Sequence, residues 1–232
     1  MRRFPAATKR FANRLRDDRS GLALLEFAFI LPVLITMSLT GAELTNYITT
    51  KMRVSQLALQ LADDAARMGS GSQLQAKSIT ETDINDLFTG AQLQSGEMNL
   101  KTNGRVILTD LEPMANPNTN NKYKIGWQRC YGLKTSAVPA YTTGLVPPYT
   151  TGASGAASTK TNLTGLGQSG RQVTATDDNA TMFVEVYYAY TPLVGTTLAP
   201  SATFTEIASM SVRDRRDLSA IYNTAGATIA SC

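Results

Sequence analysis

The sequence contains no histidine, and only two of its 232 residues are cysteine. Without imidazole the chain lacks the base of Ser-His-Asp and Cys-His catalysis and a usual ligand of catalytic zinc. Its cysteines form no Cys-x-x-Cys pair, so neither a zinc ribbon nor a dithiol redox centre is supported. The sequence has no phosphate-binding loop of the Walker type. We therefore expect no enzyme, no cofactor and no metal site, and an enzymatic head is the least favoured interpretation.

One glycine pattern, Gly165–Gly170, matches the G-x-G-x-x-G of dinucleotide-binding loops. That motif functions only between a hydrophobic strand and a helix. Here it lies in a stretch rich in Gly, Ser, Thr, Pro and Ala, at 136–176, with no strand pattern before it and no helix pattern after it. We interpret this stretch as a long insertion that is either mobile or faces a partner.

Positive charge is concentrated at the N-terminus. Residues 1–21 contain seven Lys or Arg and two Asp, a net charge of +5, whereas the remainder has a net charge of −1. Positive residues beside an apolar span stay in the cytoplasm, so we expect a basic cytoplasmic leader at 1–21 and export of the C-terminal side. A nucleic-acid-binding arm is the alternative. The apolar run that follows at once argues against it, and we expect no nucleic-acid partner.

An apolar run occupies Leu22–Gly41, and Glu26 is its only charged residue. About 20 apolar residues are enough to cross a bilayer as a helix, so we expect 22–41 to be the transmembrane part of a helix in contact with lipid. Pro32 is tolerated in such a helix. A carboxylate at the centre of a span costs roughly 2.5–3.5 kcal/mol, so Glu26 needs a polar location or a counter-ion.

The segment from Gly21 to Phe27, Gly-Leu-Ala-Leu-Leu-Glu-Phe, resembles the processing site of type IV prepilins. Its Glu26-Phe27 pair is similar to that of the Flp subclass, and the long stem and C-terminal β region of the chain resemble a TadE- or TadG-type pseudopilin of the tight-adherence system. The firm part of the resemblance covers roughly Arg14 to Met68, about a quarter of the chain. The resemblance implies that prepilin peptidase cuts between Gly21 and Leu22. It also implies that Glu26 and Phe27 serve assembly and registry, with the new α-amino group of Leu22 as the counter-ion of Glu26.

The same resemblance implies a function and a set of partners. We expect a membrane-inserted pseudopilin, or minor pilin, that takes part in assembling a tight-adherence type IV pilus used in cell adhesion. Its partners would be the major pilin and other pseudopilins, the prepilin peptidase and the inner-membrane assembly platform. The location implied is the bacterial inner membrane, in a single pass with a periplasmic head, and in some cases a surface pilus.

Two alternatives remain open for the N-terminal half. A secretory signal peptide cut after Ala42 would place Thr40 and Ala42 at the small positions of its cleavage site. Its charged preamble would be long, and Glu26 would have no role. A single-pass membrane anchor for a periplasmic binding module, without a pilus role, is the second alternative, and such an anchor has no reason to lose its leader.

The helical pattern continues past the apolar run, at 42–68, as an amphipathic stem. Apolar residues recur there at spacings of three and four, namely Tyr47, Val54, Ala58, Leu61, Ala65 and Met68, and the stripe is widened by Leu44, Leu57 and Ala62. Gly69 and Gly71 are suited to end the helix. The stripe must pack either on the protein's own head or on neighbouring stems.

The remainder predicts an α+β protein, in which the long helix precedes a small antiparallel β head with long loops. We expect a polar connector at 69–102 with a short helix at 81–93, then a β-rich head at 103–232. Alternating patterns predict four strands, at 105–109, 123–128, 182–190 and 208–213. We interpret the charged cluster 213–217 as a solvated strand end.

Both cysteines, Cys130 and Cys232, lie on the side predicted to be exported. A pair of cysteines in an oxidising compartment suggests a disulfide. Closing a loop of about 100 residues stabilises a fold by up to roughly 4.7 kcal/mol in the chain-entropy model. Two unpaired thiols are the alternative.

Overall fold

The structure is a computed structural model, which describes Arg14, Arg16 and residues 20–72, 75–134, 161–167, 170, 172–194 and 203–232. These residues belong to two compact units. The first consists of Met1–Asn46 with Pro192–Ala199, and the second of Tyr47–Thr191 with Pro200–Cys232. Most of the predicted leader, 1–21, lies outside the described residues.

Helix α1 spans Ser20–Arg67 and includes Pro32. Within it an 18-residue window has a mean hydropathy of 2.2 and none of that window is buried, so this helix is long and apolar enough to span a membrane. The hydroxyls of Thr36 and Thr40 donate to the carbonyls of the residues four positions earlier, at 2.7 and 2.8 Å. These two hydroxyls are thus satisfied within the helix itself.

The C-terminal part of α1 packs on the core of the second unit. Its buried residues are Val54, Leu57, Ala58, Leu61, Ala62, Ala65 and Ala66, and Tyr47 and Met68 pack at the edge of the same cluster. The predicted amphipathic stem is therefore confirmed, and its stripe packs on the protein's own head. Leu44 was expected to widen the stripe, but its side chain is exposed.

The head contains a four-stranded antiparallel sheet. Its strands are β2 (Gly104–Pro113), β3 (Tyr123–Tyr131), β4 (Thr181–Ala189) and β5 (Thr203–Ser211). Their order in the sheet is β3-β2-β4-β5. Each overlaps one of the four predicted strands. Two further short strands, β1 (Lys77–Thr80) and β6 (Arg216–Tyr222), pair in parallel. The α+β prediction is confirmed, with this parallel pair in addition to the antiparallel sheet.

The description of 69–102 as a polar connector is wrong. After β1 the chain forms helix α2 (Glu81–Ser95), a 3₁₀ turn (Gly96–Met98) and helix α3 (Leu100–Asn103). These elements contribute Ile79, Ile84, Phe88, Ala91, Met98 and Leu100 to the main core. The apolar residues are few but recur at helical spacing, so the segment buries a narrow stripe although its average composition is polar. The short helix predicted at 81–93 is confirmed.

The cluster 213–217 is not simply a solvated strand end. Arg216 begins β6 and is buried, and its guanidinium donates to the carbonyls of Ala65 and Ala66 at 3.2 Å and of Met68 at 2.6 Å. The last carbonyls of a helix have no partner within the helix. Arg216 therefore caps the C-terminus of α1 from within the head.

Part of the predicted insertion 136–176 packs on the sheet. Residues 135–160, and Gln168 and Ser169 of the glycine pattern, lie outside the described residues. Beyond them Leu163 bridges to Tyr123, and Leu166 is buried in a second cluster with residues of β2, β3 and β4. Residues 161–167 and 172–176 were expected to be mobile or to face a partner. Instead, apolar side chains from both segments pack on the sheet.

Candidate functional site: the N-terminal helix and its attachments

Gly21 lies in the first turn of α1, where the fold imposes no requirement for glycine. A Cβ built on Gly21 would meet no atom within 4 Å, and the following Leu22 is exposed. Glycine is usually needed where space is short or φ is positive, and Gly21 shows neither. The packing of the described residues would therefore accept a larger side chain at position 21.

Glu26 lies four residues after Leu22, so the two positions are neighbours on one face of α1. Both are exposed, as is Phe27. Among the described residues Glu26 makes no hydrogen bond or ion pair, so the structure brings these predicted residues together on the helix surface but does not give the carboxylate a partner. In the uncut chain Leu22 has an ordinary peptide nitrogen. An ammonium group exists there only after cleavage.

A second carboxylate, Glu43, follows the apolar run and had no predicted role. Its Oε2 accepts hydrogen bonds from the backbone N–H groups of Leu193 (2.8 Å) and Val194 (3.0 Å), and only 3% of the residue is exposed. All three residues belong to the first unit. The sequence signal was a carboxylate two residues past the apolar run, but nothing in the sequence indicated its partners.

A second apolar stripe runs along the stem part of α1, beside the stripe that faces the core. It consists of Ile48, Met52 and Leu59, which are exposed, with half-buried Ser55 between them. Spacings of four, three and four residues are those of a coiled-coil seam. This seam is therefore suited to contact another helix.

The structure contains the disulfide between Cys130 and Cys232, with their Cα atoms 4.8 Å apart. Cys130 lies on β3, and its N–H donates to the carbonyl of Ala230 at 2.8 Å. Arg105 on β2 donates to the backbone oxygens of Cys232 (3.2 Å) and Gly132 (2.6 Å). The disulfide and these bonds together attach the last residues of the chain to the sheet.

The carboxyl groups of Asp110 and Glu112 on β2 both lie against Gly126 of β3, next to a bulge in the pairing of these strands. A Cβ added to Gly126 would lie 2.6 Å from Asp110 Oδ2 and closer still to Glu112 Oε1, so only glycine leaves room for both carboxyl groups. Burial raises the pKa of Asp110 well above its ordinary value, the Glu112 carboxylate raises it further, and Arg216 and Lys124 oppose the rise. A side-chain hydrogen bond with the Glu112 carboxyl is a further cause of the raised pKa of Asp110.

An open cleft of about 670 Å³ lies between α1 and the end of α2. Its polar lining includes the amides of Gln56, Gln60 and Gln94 and the charged groups of Arg53 and Glu97. Amides and a pair of opposite charges can bind a polar ligand.

In the part of the chain that the structure describes, no group of three or more His, Cys, Asp or Glu is arranged to hold a metal ion. The chain matches no protein-family model, no curated protein and no solved structure.

Proposed function

We propose that the protein is a membrane-inserted pseudopilin of a tight-adherence type IV pilus, processed by prepilin peptidase after Gly21. The observation that carries this proposal is the exposed apolar half of α1 with one carboxylate, Glu26, five positions after a glycine that the fold does not require. A helix used only as an anchor gains nothing from that carboxylate, which makes insertion less favourable.

Cleavage gives Glu26 a counter-ion. The new ammonium group of Leu22 would lie one helical turn away on the same face. In a low-dielectric surrounding an unpaired charge is costly and a paired one is tolerated. Pairing Glu26 with the Leu22 ammonium of a neighbouring stem would also fix the axial position of one helix against the next.

The seam of exposed Ile48, Met52 and Leu59, with half-buried Ser55 between them, supports the same proposal. The stem already packs on its own head through its core-facing stripe. The seam lies outside that contact, so it can pack against a neighbouring helix. The major pilin and other pseudopilins are the proposed partners. The prepilin peptidase and the inner-membrane assembly platform are the further proposed partners.

The test is N-terminal sequencing of the full chain, produced with and without prepilin peptidase. With the peptidase the protein should begin at Leu22, and Gly21→Val should keep its leader. Gly41→Val is the matched control, because an added Cβ at Gly41 also meets nothing within 4 Å in the same helix, and it should be cut normally. A product beginning at Glu43 would instead identify a signal peptide cut after Ala42.

A membrane-anchored binding module is the second candidate, and the amide-lined cleft between α1 and α2 favours it. In that case Gly21→Val and its parent would both keep residues 1–21. Substitutions of Gln60 or Gln94 would then impair function, whereas Glu26→Leu would not.

A further inference from the structure

We propose that the chain contacts the membrane at a second place, the turn after β4, where Leu193 enters the lipid interface while Glu43 holds the turn against α1. The proposal rests on the membrane insertion assumed above. Its occupant is the lipid interface of the same bilayer that receives residues 22–41.

Glu43 lies just beyond the membrane-spanning part of α1. Twenty helical residues from Leu22 to Gly41 extend about 30 Å, which is the thickness of the hydrocarbon core. Glu43 lies only about 3 Å further along the axis, and the headgroup layer on each side of the core is roughly 5–7 Å thick. Glu43, with the two N–H groups bound to it, therefore lies within the headgroup layer.

The Glu43 carboxylate is hydrogen-bonded to the turn after β4. A charge this close to hydrocarbon is tolerated only when it is hydrogen-bonded. The N–H groups of Leu193 and Val194 supply two bonds to Oε2, at 2.8 and 3.0 Å. The same bonds satisfy two backbone donors of the turn, which would otherwise oppose its entry into a water-poor layer. Glu43 thus suits the turn to a position beside lipid.

The turn after β4 has an exposed apolar side chain and no charged residue. Leu193 is apolar and 67% exposed, although it lies next to a residue at the border of the span. The sequence has no Asp, Glu, Lys or Arg between Glu185 and Glu206, so no charge must be dehydrated when the turn meets the interface. An exposed apolar side chain on a charge-free stretch, at the level where the helix leaves the bilayer, fits an interfacial anchor.

The test uses the full chain in phosphatidylcholine vesicles with a quencher near the top of the acyl chains. A fluorescent label is placed on Leu193→Cys, Leu133→Cys or Phe29→Cys under non-reducing conditions, so that the native disulfide is not labelled. Leu133 is also 67% exposed and serves as the water-exposed reference. Phe29 reports on insertion of the span.

Quenching at position 193 should exceed that at 133 and approach that at 29. Quenching at 29 with equal, low quenching at 193 and 133 would overturn the second contact and leave membrane insertion standing. Absence of quenching at 29 would overturn both.

A second comparison tests the role of Glu43. In the Leu193→Cys background, Glu43→Leu should reduce quenching at 193 because the turn loses its acceptor. Thr45→Leu changes a nearby exposed polar residue whose hydroxyl bonds only within the helix, to Gly41, and should leave quenching unchanged. Equal quenching in both variants would show that Glu43 does not hold the turn.

Discussion

Glu81 and Arg129, 48 residues apart in the sequence, form an ion pair that is sealed inside the head, with 0% and 1% of their side chains exposed. Arg129 Nε donates to both carboxylate oxygens, at 3.2 and 3.0 Å, and a second guanidinium nitrogen also donates to Glu81. Glu81 is the first residue of α2, where the helix dipole favours a negative charge. The pair thereby joins α2 to strand β3.

Removing one member of this pair should be more damaging than removing both. Arg129→Met leaves a buried carboxylate without its partner, and we expect a loss of about 3–5 kcal/mol in the free energy of unfolding. The double variant Glu81→Leu/Arg129→Met should recover most of that loss. Denaturant unfolding in detergent, followed by the fluorescence of Trp127, measures both. A double variant as unstable as Arg129→Met would show that packing, not the isolated charge, causes the loss.

The disulfide between Cys130 and Cys232 should make a large contribution to the stability of the head. It closes a loop with a sequence separation of 102, and the chain-entropy model gives at most about 4.7 kcal/mol for such a loop. Reduction should lower the denaturation midpoint of the parent and leave the Cys130→Ala/Cys232→Ala variant unchanged. Peptide mapping without reductant should find the two cysteines linked. Two freely alkylated thiols in protein from the cell envelope would contradict the pairing.

Asp110 should make stability fall as pH rises. Burial raises the pKa of its carboxyl above the ordinary 3.8, so the folded protein holds this proton more tightly than the unfolded chain. The free energy of unfolding should then decrease from about pH 4 upwards, through the folded pKa, by up to about 1.4 kcal/mol per pH unit.

Asp110→Asn lacks this titration, and the stability of the variant relative to the parent should rise with pH across that window. Asp214→Asn is the control of opposite sign, because the hydrogen bond from Lys77 lowers the pKa of Asp214. Its contribution is present above the ordinary pKa and is lost as pH falls. Parallel pH profiles for the parent and Asp110→Asn would refute the buried proton.

Arg216 should be needed for the junction between α1 and the head. Arg216→Met leaves the carbonyls of Ala65, Ala66 and Met68 without this donor, and each buried unsatisfied group costs about 1–3 kcal/mol. Arg215→Met, at an exposed neighbouring position, should change stability little. Hydrogen exchange at the last turn of α1 should accelerate only in Arg216→Met. Equal exchange rates in the two variants would exclude the cap.

Patterns that repeat locally could be predicted from the sequence. The alternation in β3 and β4 gave those strands to within a few residues, and the three-and-four spacing of the stem identified its buried face. Both patterns arise because regular backbone repeats its orientation every 2 or 3.6 residues. The disulfide was inferred from chemistry, since the two cysteines lie on the side predicted to be exported and have a single possible pairing.

Contacts between distant segments could not be predicted in this way. Arg216 belongs to a run of five charged residues, and local composition suggested solvent, whereas its partners are helix carbonyls about 150 residues earlier. Glu81 is the first residue of the short helix predicted at 81–93, and nothing in the sequence indicated Arg129 as its partner. The parallel pairing of β1 with β6 joins two short strands that are far apart in the sequence. A buried charge is recognisable only once its partner is known.

The central claim, that Glu26 fixes the register of neighbouring stems, is tested most directly by Glu26→Leu. The measurement is N-terminal sequencing together with co-purification with the major pilin, and Thr36→Val is the control because the Thr36 hydroxyl is satisfied within its own helix. We expect Glu26→Leu to be cut after Gly21 and to insert at least as well as the parent, but not to co-purify with the major pilin, whereas Thr36→Val should co-purify as the parent does. Co-purification of Glu26→Leu at the level of the parent would show that the Glu26 carboxylate does not fix the register.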